Sequence, residues 1–403
     1  MSTFGRNKRV VSGMRPTGSL HLGHYHGVLK NWVQLQHQHD CMFFVADWHG
    51  LTTHYEQPGV IAGSLWDMVV DWLACGINPG LSRLFIQSWV PQHAELNTLL
   101  SMITPLGWLE RVPTYKDQQE KLHEKDLATY GFLGYPLLQS ADVLIYKADF
   151  VPVGEDQVAH IELIREVARR FNNLYGREDN FESLAIAGIA KMGKKNGKLY
   201  LELRRAFQQD GCHDSLKTAQ SLLQVQHNLS LGDKERLLGY LDGQGKIILT
   251  EPHAMLTDQA KMPGLDGQKM SKSYHNTISL REDPVRLEKK IMTMPTDPAR
   301  VKRTDPGDPS MCPVWGFHTV YSDESVQNWV QTGCRSASIG CVDCKRPVID
   351  SIKKILEPIQ QAIVTYEADL PSVKKIVAEG SEQAREEAMK TMNDVREAMG
   401  LEY

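Results

Sequence analysis

Two short runs of residues, far apart in the chain, have the side chains that phosphate chemistry requires. One is His21-Leu22-Gly23-His24, and the other is Lys269-Met270-Ser271-Lys272-Ser273. Taken alone, the first run could be two surface histidines and the second a solvated charged turn. Imidazole and ammonium groups held in place stabilise negative charge that develops on phosphate oxygens. Together, the runs predict a site that joins a carboxylate to ATP and releases pyrophosphate.

The segments around both runs favour this interpretation. Residues 9–13 have the pattern of a short buried strand, and a helical pattern follows from Leu20. His21 and His24 then share one face of the first helical turns, and Gly23 between them permits close approach of a ligand. The helix N-terminus also favours an anion. Residues 263–267 are rich in Pro and Gly, as expected of a mobile loop before the lysine run.

The rhythm of the sequence predicts an α/β fold. Short apolar runs at 42–46 and 84–86 alternate with long amphipathic stretches such as 60–73. This alternation indicates a doubly wound parallel sheet, Rossmann-like, with ligands at the carboxyl ends of its strands. Strand-like runs become rare after residue 283, and 347–399 has helical periodicity. We therefore predict a catalytic domain at 1–283, with a helical insertion at about 182–247, and a helical domain at 284–403.

Composition gives weaker evidence about function than the motifs do. The chain has 403 residues and a net charge of −4, so it does not have the overall basic character of many nucleic-acid binders. Local basic patches would still allow such binding. Neither a signal peptide nor a long apolar span is apparent, which predicts a cytoplasmic protein without membrane contact.

Four of the seven cysteines form a separate group at Cys312, Cys334, Cys341 and Cys344. In a cytoplasmic protein such thiols bind metal more often than they form disulfides. Zinc accepts four cysteines, and so does an iron–sulfur cluster. The spacing alone leaves both open, as well as four unligated thiols.

Five blocks of sequence, in order, resemble the class I aminoacyl-tRNA synthetases of the bacterial tryptophanyl type. They comprise residues 12–24, 44–49, 84–88, 135–162 and 269–273. The resemblance implies activation of L-tryptophan with ATP and Mg²⁺, then transfer to tRNA(Trp) by a homodimer. It places residues near ATP at Arg15, Thr17, Gly18, His21, Gly23, His24, Lys116, Gly154, Asp156, Lys269, Met270, Ser271, Lys272 and Ser273. It places residues near tryptophan at His49, Tyr135, Gln139, Asp142, Val151, Val153 and Gln157.

The resemblance also implies roles for individual residues. His21 and His24 would stabilise the transition state at the α-phosphate, and Lys269 and Lys272 would close over the pyrophosphate. Asp142 would accept a hydrogen bond from the indole N–H. Gln139 stands where relatives often have methionine, which puts the detail of the side-chain pocket in question.

The resemblance also implies a function for the four cysteines and leaves two possible roles for the insertion. A minority of tryptophanyl-tRNA synthetases hold a four-iron, four-sulfur cluster on such cysteines in the anticodon-binding domain, so we favour a 4Fe–4S cluster over zinc. The insertion begins with basic residues and is either a structural addition or a contact for the tRNA acceptor arm. The basic residues are Lys191, Lys194, Lys195, Lys198, Arg204 and Arg205.

Three other functions remain open at this point. A tyrosyl-tRNA synthetase would share the fold and could use an aspartate at the same place for a phenol. A nucleotidyltransferase of the same fold could act on a metabolite. A non-catalytic relative could bind tRNA or sense redox state, although both signature runs are intact.

Overall fold

The computed structural model describes residues 8–112, 129–176, 180–243, 245–256 and 262–402, without the side chains of Asp156 and Ser273. Its centre is a parallel five-stranded sheet in the order β3-β2-β1-β4-β5. The strands are β1 (Arg9–Met14), β2 (Asp40–Val45), β3 (Ser82–Ile86), β4 (Phe150–Val153) and β5 (His253–Leu256). Strand order reverses between β1 and β4, where doubly wound sheets bind ligands. The predicted fold class is confirmed.

Helices surround this sheet and continue to the end of the described chain. In the first half they are α1 (Leu22–His24), α2 (Lys30–Leu35), α3 (Asp47–His54), α4 (Pro58–Ala74), α5 (Gln92–Ser101), α6 (Leu106–Glu110), α7 (Tyr130–Leu133), α8 (Tyr135–Leu144) and α9 (Val158–Tyr175). In the second half they are α10 (Phe181–Lys191), α11 (Gly193–Asp210), α12 (His213–Gln224), α13 (Leu231–Leu241), α14 (Pro284–Met292), α15 (Pro313–Tyr321), α16 (Glu324–Arg335), α17 (Cys341–Ala368) and α18 (Leu370–Ala398).

The helix predicted after β1 is interrupted. A π-helical segment, Tyr25–Leu29, separates α1 from α2. Such segments are rare and are often found at functional sites. Here the segment directly follows the two histidines of the first run.

The C-terminal helices pack onto the sheet and share its hydrophobic cores. Residues of α17 belong to the same core cluster as β1 and α4, and residues of α18 belong to the cluster of β4 and α9. A Cβ at Gly380 in α18 would lie 2.1 Å from the carbonyl oxygen of Leu84 in β3, so only glycine permits this approach. The division of the chain at residue 283 stays a prediction.

The segment at 182–247 forms four helices, α10 to α13, around a core of its own. Two of its basic side chains have internal partners: Lys191 contacts Asp233 at 2.8 Å, and Arg204 donates to the carbonyl oxygen of Tyr240 at 2.7 Å. The other four named above are exposed. Among the helices described, none is long and apolar enough to span a membrane.

Candidate active site

The histidine run and the lysine run lie side by side. The Leu22 amide donates to the carbonyl oxygen of Ile278 at 3.0 Å, which joins the start of α1 to the segment after the lysine run. Lys272 Nζ donates to the carbonyl oxygen of Thr17 at 3.0 Å. A Cβ at Gly23 would lie 3.5 Å from Met270 Cβ. Two runs about 250 residues apart in sequence therefore form one surface.

The two histidines are held as neutral donors. The rings of His21 and His24 are 3.9 Å apart. His21 Nδ1 accepts from the Gly23 amide at 3.1 Å, and His24 Nδ1 accepts from the His21 amide at 3.2 Å. Each ring therefore carries its hydrogen on Nε2. Burial and the nearby Lys272 ammonium lower the pKa of His21 to about 4, and burial with both neighbours lowers the pKa of His24.

Lys272 is the lysine that reaches the histidines. Burial lowers the pKa of its ammonium group to about 8, against an opposing effect of Asp71. Lys269 is exposed, Met270 is buried, and the Ser271 amide donates to Asn276 Oδ1 at 2.8 Å. The structure thus brings one of the two predicted lysines into contact with Thr17, just before the first run, and near enough to both histidines to affect their pKa.

A cavity of about 390 Å³ opens beside these runs, between the ends of β1, β2 and β4. Ten of the predicted residues line it: Arg15, His24, His49, Tyr135, Gln139, Asp142, Val151, Val153, Gly154 and Gln157. Thr17, Gly18, His21 and Gly23 do not line it but lie next to the lysine run. Lys116 falls outside the described residues, as do the side chains of Asp156 and Ser273. The predicted tryptophan residues are all brought together.

Asp142 lines this cavity and is almost completely buried. It contacts His49 Nε2 at 2.8 Å and His93 Nδ1 at 2.6 Å, and it accepts from Gln87 Nε2 at 2.7 Å. Burial alone would raise the pKa of this carboxyl group, but the two histidines outweigh it and lower the pKa to about 2. The group is therefore a carboxylate at neutral pH.

The sequence did not indicate several of these partners. Gln87 and His93 follow β3, at the carboxyl edge of the sheet, and that position was the available signal. Phe132 and His160 also line the cavity, and His160 Nδ1 lies 2.8 Å from Gln139 Oε1. An amide paired with a histidine thus replaces the apolar wall expected from relatives with methionine.

The four cysteines converge from three segments. Burial and the other three thiols raise the pKa of Cys344 to about 12, and Cys312 and Cys341 also act on Cys334. A Cβ at Gly307 would lie 2.8 Å from Cys334 Sγ, so the backbone passes against this thiol. Within the described ranges, however, no three His, Cys, Asp or Glu side chains are arranged closely enough to hold a metal ion.

Helix α15 connects the cysteine group to the active site. It begins directly after Cys312, and His318 within it lies 3.4 Å from Cys344 Sγ. At its end, the Tyr321 hydroxyl is 2.8 Å from His26 Nε2 in the π-helical segment. A Cβ at Gly316 would lie 3.0 Å from Pro263, so the helix also packs against the loop before the lysine run.

Comparison with known proteins gives consistent results. The family described as tRNA synthetases class I (W and Y) matches residues 3–204 and 224–357. A tryptophan–tRNA ligase of Ralstonia nicotianae is 63% identical over 98% of this chain and 99% of its own length. The Thermotoga maritima tryptophan–tRNA ligase is 43% identical over 98% of this chain and 100% of its own. The structure of Campylobacter jejuni tryptophanyl-tRNA synthetase with ADP and tryptophan is 26% identical, covers 97% of this chain and 99% of its own, and has a TM-score of 0.72.

Proposed function

This chain belongs to the class I tRNA synthetases for tryptophan and tyrosine, and on that premise we propose how its residues activate tryptophan and load it onto tRNA(Trp). The overall activity is that of a tryptophan–tRNA ligase. The predicted activity is thereby confirmed, and the tyrosyl, metabolite-transferase and non-catalytic alternatives are set aside. The observation that carries the proposed roles is the contact of both signature runs beside a cavity that contains a buried carboxylate.

In the first step, the carboxylate of tryptophan attacks the α-phosphorus of ATP, and the bond to pyrophosphate breaks. The Nε2–H groups of His21 and His24 donate to oxygens of the α-phosphate as their charge increases. The Lys272 ammonium group neutralises charge on the leaving pyrophosphate, which is bound with Mg²⁺ as part of the substrate. Because these groups are fixed before the reaction, they stabilise the transition state with little reorganisation.

Tryptophan is bound in the cavity with its indole N–H toward Asp142. An ionised carboxylate is a strong acceptor for this group, and burial excludes competing water. Val151 and Val153 of β4 supply apolar contact, while Tyr135 and Gln157 are placed to bind the ammonium end. The tight network around Asp142 supports this assignment, since it holds the acceptor in one position.

In the second step, the 2′-hydroxyl of the terminal tRNA ribose attacks the adenylate carbonyl and releases AMP. The described side chains provide positioning and charge rather than a covalent nucleophile. We assign anticodon binding to the helical region after residue 283, and a homodimer as the assembly, both from the family. The exposed basic side chains of α11 remain a candidate contact for the acceptor arm.

We further propose that the four cysteines bind a 4Fe–4S cluster, with zinc as the alternative. The other three thiols lie near enough to Cys344 to act on its pKa, and this supports a soft metal because thiolates are its preferred ligands. Cys312, Cys334, Cys341 and Cys344 would hold the cluster, which when bound would cross-link α15, α16 and α17. Arg300 Nη1 lies 3.7 Å from Cys334 Sγ and would offset part of the thiolate charge.

Amino-acid-dependent exchange of pyrophosphate into ATP, measured without tRNA, tests the activation step. We expect exchange with tryptophan and none with tyrosine. Exchange with tyrosine alone would refute the assignment of Asp142, and Lys272→Ala with unchanged exchange would refute the role of the lysine loop. For the cysteines, iron, sulfide and zinc are quantified in protein purified without oxygen. About four irons per chain support the cluster, one zinc supports the alternative, and neither metal overturns the assignment.

A further inference from the structure

A chain of fully buried side chains lies behind Asp142. His93 Nδ1 is 2.6 Å from Asp142 Oδ1, and His93 Nε2 is 2.6 Å from the hydroxyl of Tyr146. His93 and Tyr146 are both 0% exposed. Asp142 lines the cavity, whereas His93 and Tyr146 are not among the described residues that line it. Their hydrogen-bonded route to a substrate runs through the carboxylate, and His93 also has a ring contact with Phe44 of the cavity wall.

The hydrogen bonds fix the tautomer of His93. An ionised Asp142 accepts only, so His93 Nδ1 must donate to it. Among the described residues, Tyr146 has no hydrogen-bond partner for its hydroxyl except His93 Nε2. If Nε2 carries no hydrogen, the hydroxyl donates to it and every member of the chain is satisfied. A hydrogen on Nε2 would leave the buried hydroxyl proton without an acceptor, which is costly.

The two oxygens of Asp142 accept unequal numbers of hydrogen bonds from these residues. Oδ1 accepts from both His93 and Gln87, and Oδ2 accepts from His49 alone among the described residues. A carboxylate offers about four acceptor positions. Three are taken, and the free one belongs to Oδ2. The three N–H groups that contact this carboxylate, from Gln87, His93 and His49, are engaged with it, so the hydrogens of these contacts are not available to a second ligand atom.

We propose that His93 is a positioning residue for substrate selection, because with Gln87 it saturates Oδ1 and leaves a single acceptor position on Oδ2. An indole N–H only donates and is satisfied there. A phenol hydroxyl can donate there too, but its oxygen also accepts, and the three N–H groups on Asp142 are already engaged with the carboxylate, so the site favours the indole. The inference rests on the proposed role of Asp142 as the indole acceptor.

The experiment compares L-tryptophan with its isostere in which sulfur replaces the indole N–H, benzothiophen-3-ylalanine. Pyrophosphate exchange gives kcat/KM for each amino acid and the KM for ATP. Wild type should prefer tryptophan by about 100-fold or more, since a site built around a polar partner rejects the analogue that lacks it. In His93→Leu, kcat/KM for tryptophan should fall by about 10- to 100-fold, while the isostere changes less than about threefold.

Two further variants separate positioning from folding. His93→Asn keeps an N–H near the position of Nδ1 and should restore most of the preference. Tyr146→Phe removes one hydroxyl group and should reduce the preference by a few-fold with an unchanged KM for ATP, which gives a test even if His93→Leu does not fold. Equal losses for both amino acids, or a preference that survives in His93→Leu and Tyr146→Phe, would overturn the inference. A wild type without preference would instead refute the role of Asp142.

Discussion

Activation by this enzyme should lose efficiency above pH 8 because Lys272 loses its proton there. Burial lowers the pKa of this ammonium group to about 8 in the free protein. Below that pH the lysine is charged and attracts the phosphates of ATP. Above it, the neutral amine gives no such attraction, so the alkaline side of the pH profile reports Lys272.

The size of the effect follows from the pKa. With a pKa of about 8, the charged fraction is about 90% at pH 7 and about 10% at pH 9. The kcat/KM for ATP should therefore fall roughly tenfold between these values. Bound ATP is negative and raises the pKa of Lys272, so the corresponding fall in kcat should begin at higher pH.

Pyrophosphate exchange at saturating tryptophan, over pH 6 to 10, measures both parameters. The matched variant is Lys272→Arg, because a guanidinium group stays charged throughout this range. We expect its absolute rate to differ but its alkaline fall in kcat/KM to disappear. If Lys272→Arg shows the same fall as wild type, the titrating group is another residue and the reasoning from burial is wrong.

Two further predictions concern parts of the fold that support the site. Gly307→Ala adds a Cβ 2.8 Å from Cys334 Sγ, so it should destabilise the fold around the cysteines by about 1–3 kcal/mol and reduce the amount of metal bound per chain. The control is Gly232→Ala, whose added Cβ has nothing within 4 Å. Equal metal content in the two variants would contradict the prediction. Arg281→Met removes the 2.8 Å partner of fully buried Asp71 and should lower the free energy of unfolding in urea by about 2–3 kcal/mol. The exposed Arg286→Met should change it by less than about 0.5 kcal/mol, and similar values for the two would refute the importance of the buried pair.

The parts of the fold predictable from sequence were those with local signals. The strand at residues 9–13 is apolar and short, and the stretch at 60–73 has helical periodicity, so β1 and α4 followed from pattern alone. The π-helical segment gave no such signal, because a single wider turn does not disturb the apolar spacing around it. The sequence predicts a helical segment at 182–247 but does not show the boundary between α10 and α11, which are separated by only one residue.

The candidate site also contains residues that have a local sequence signal and residues that have none. The two signature runs identify themselves by residue type, but their contact depends on tertiary structure that joins α1 to residues 278–279. Gln87 and His93 have no distinctive spacing relative to Asp142, which lies about 50 residues away. Their roles emerge only when β3 and α8 meet at the carboxyl edge of the sheet. Networks built from distant residues are therefore invisible to spacing arguments.

Helix α15 is a physical connection between the cysteine group and the candidate active site. The first turn of this helix follows Cys312 and packs against the loop before the lysine run, His318 contacts Cys344, and Tyr321 at its end contacts His26. A ligand of the cysteines that displaces α15 changes the affinity for ATP by some factor. Linkage then requires ATP to change the affinity of the cysteines for that ligand by the same factor. If the cysteines bind the proposed cluster, nucleotide would then change how firmly the chain retains it, by the same factor as the cluster changes the affinity for nucleotide.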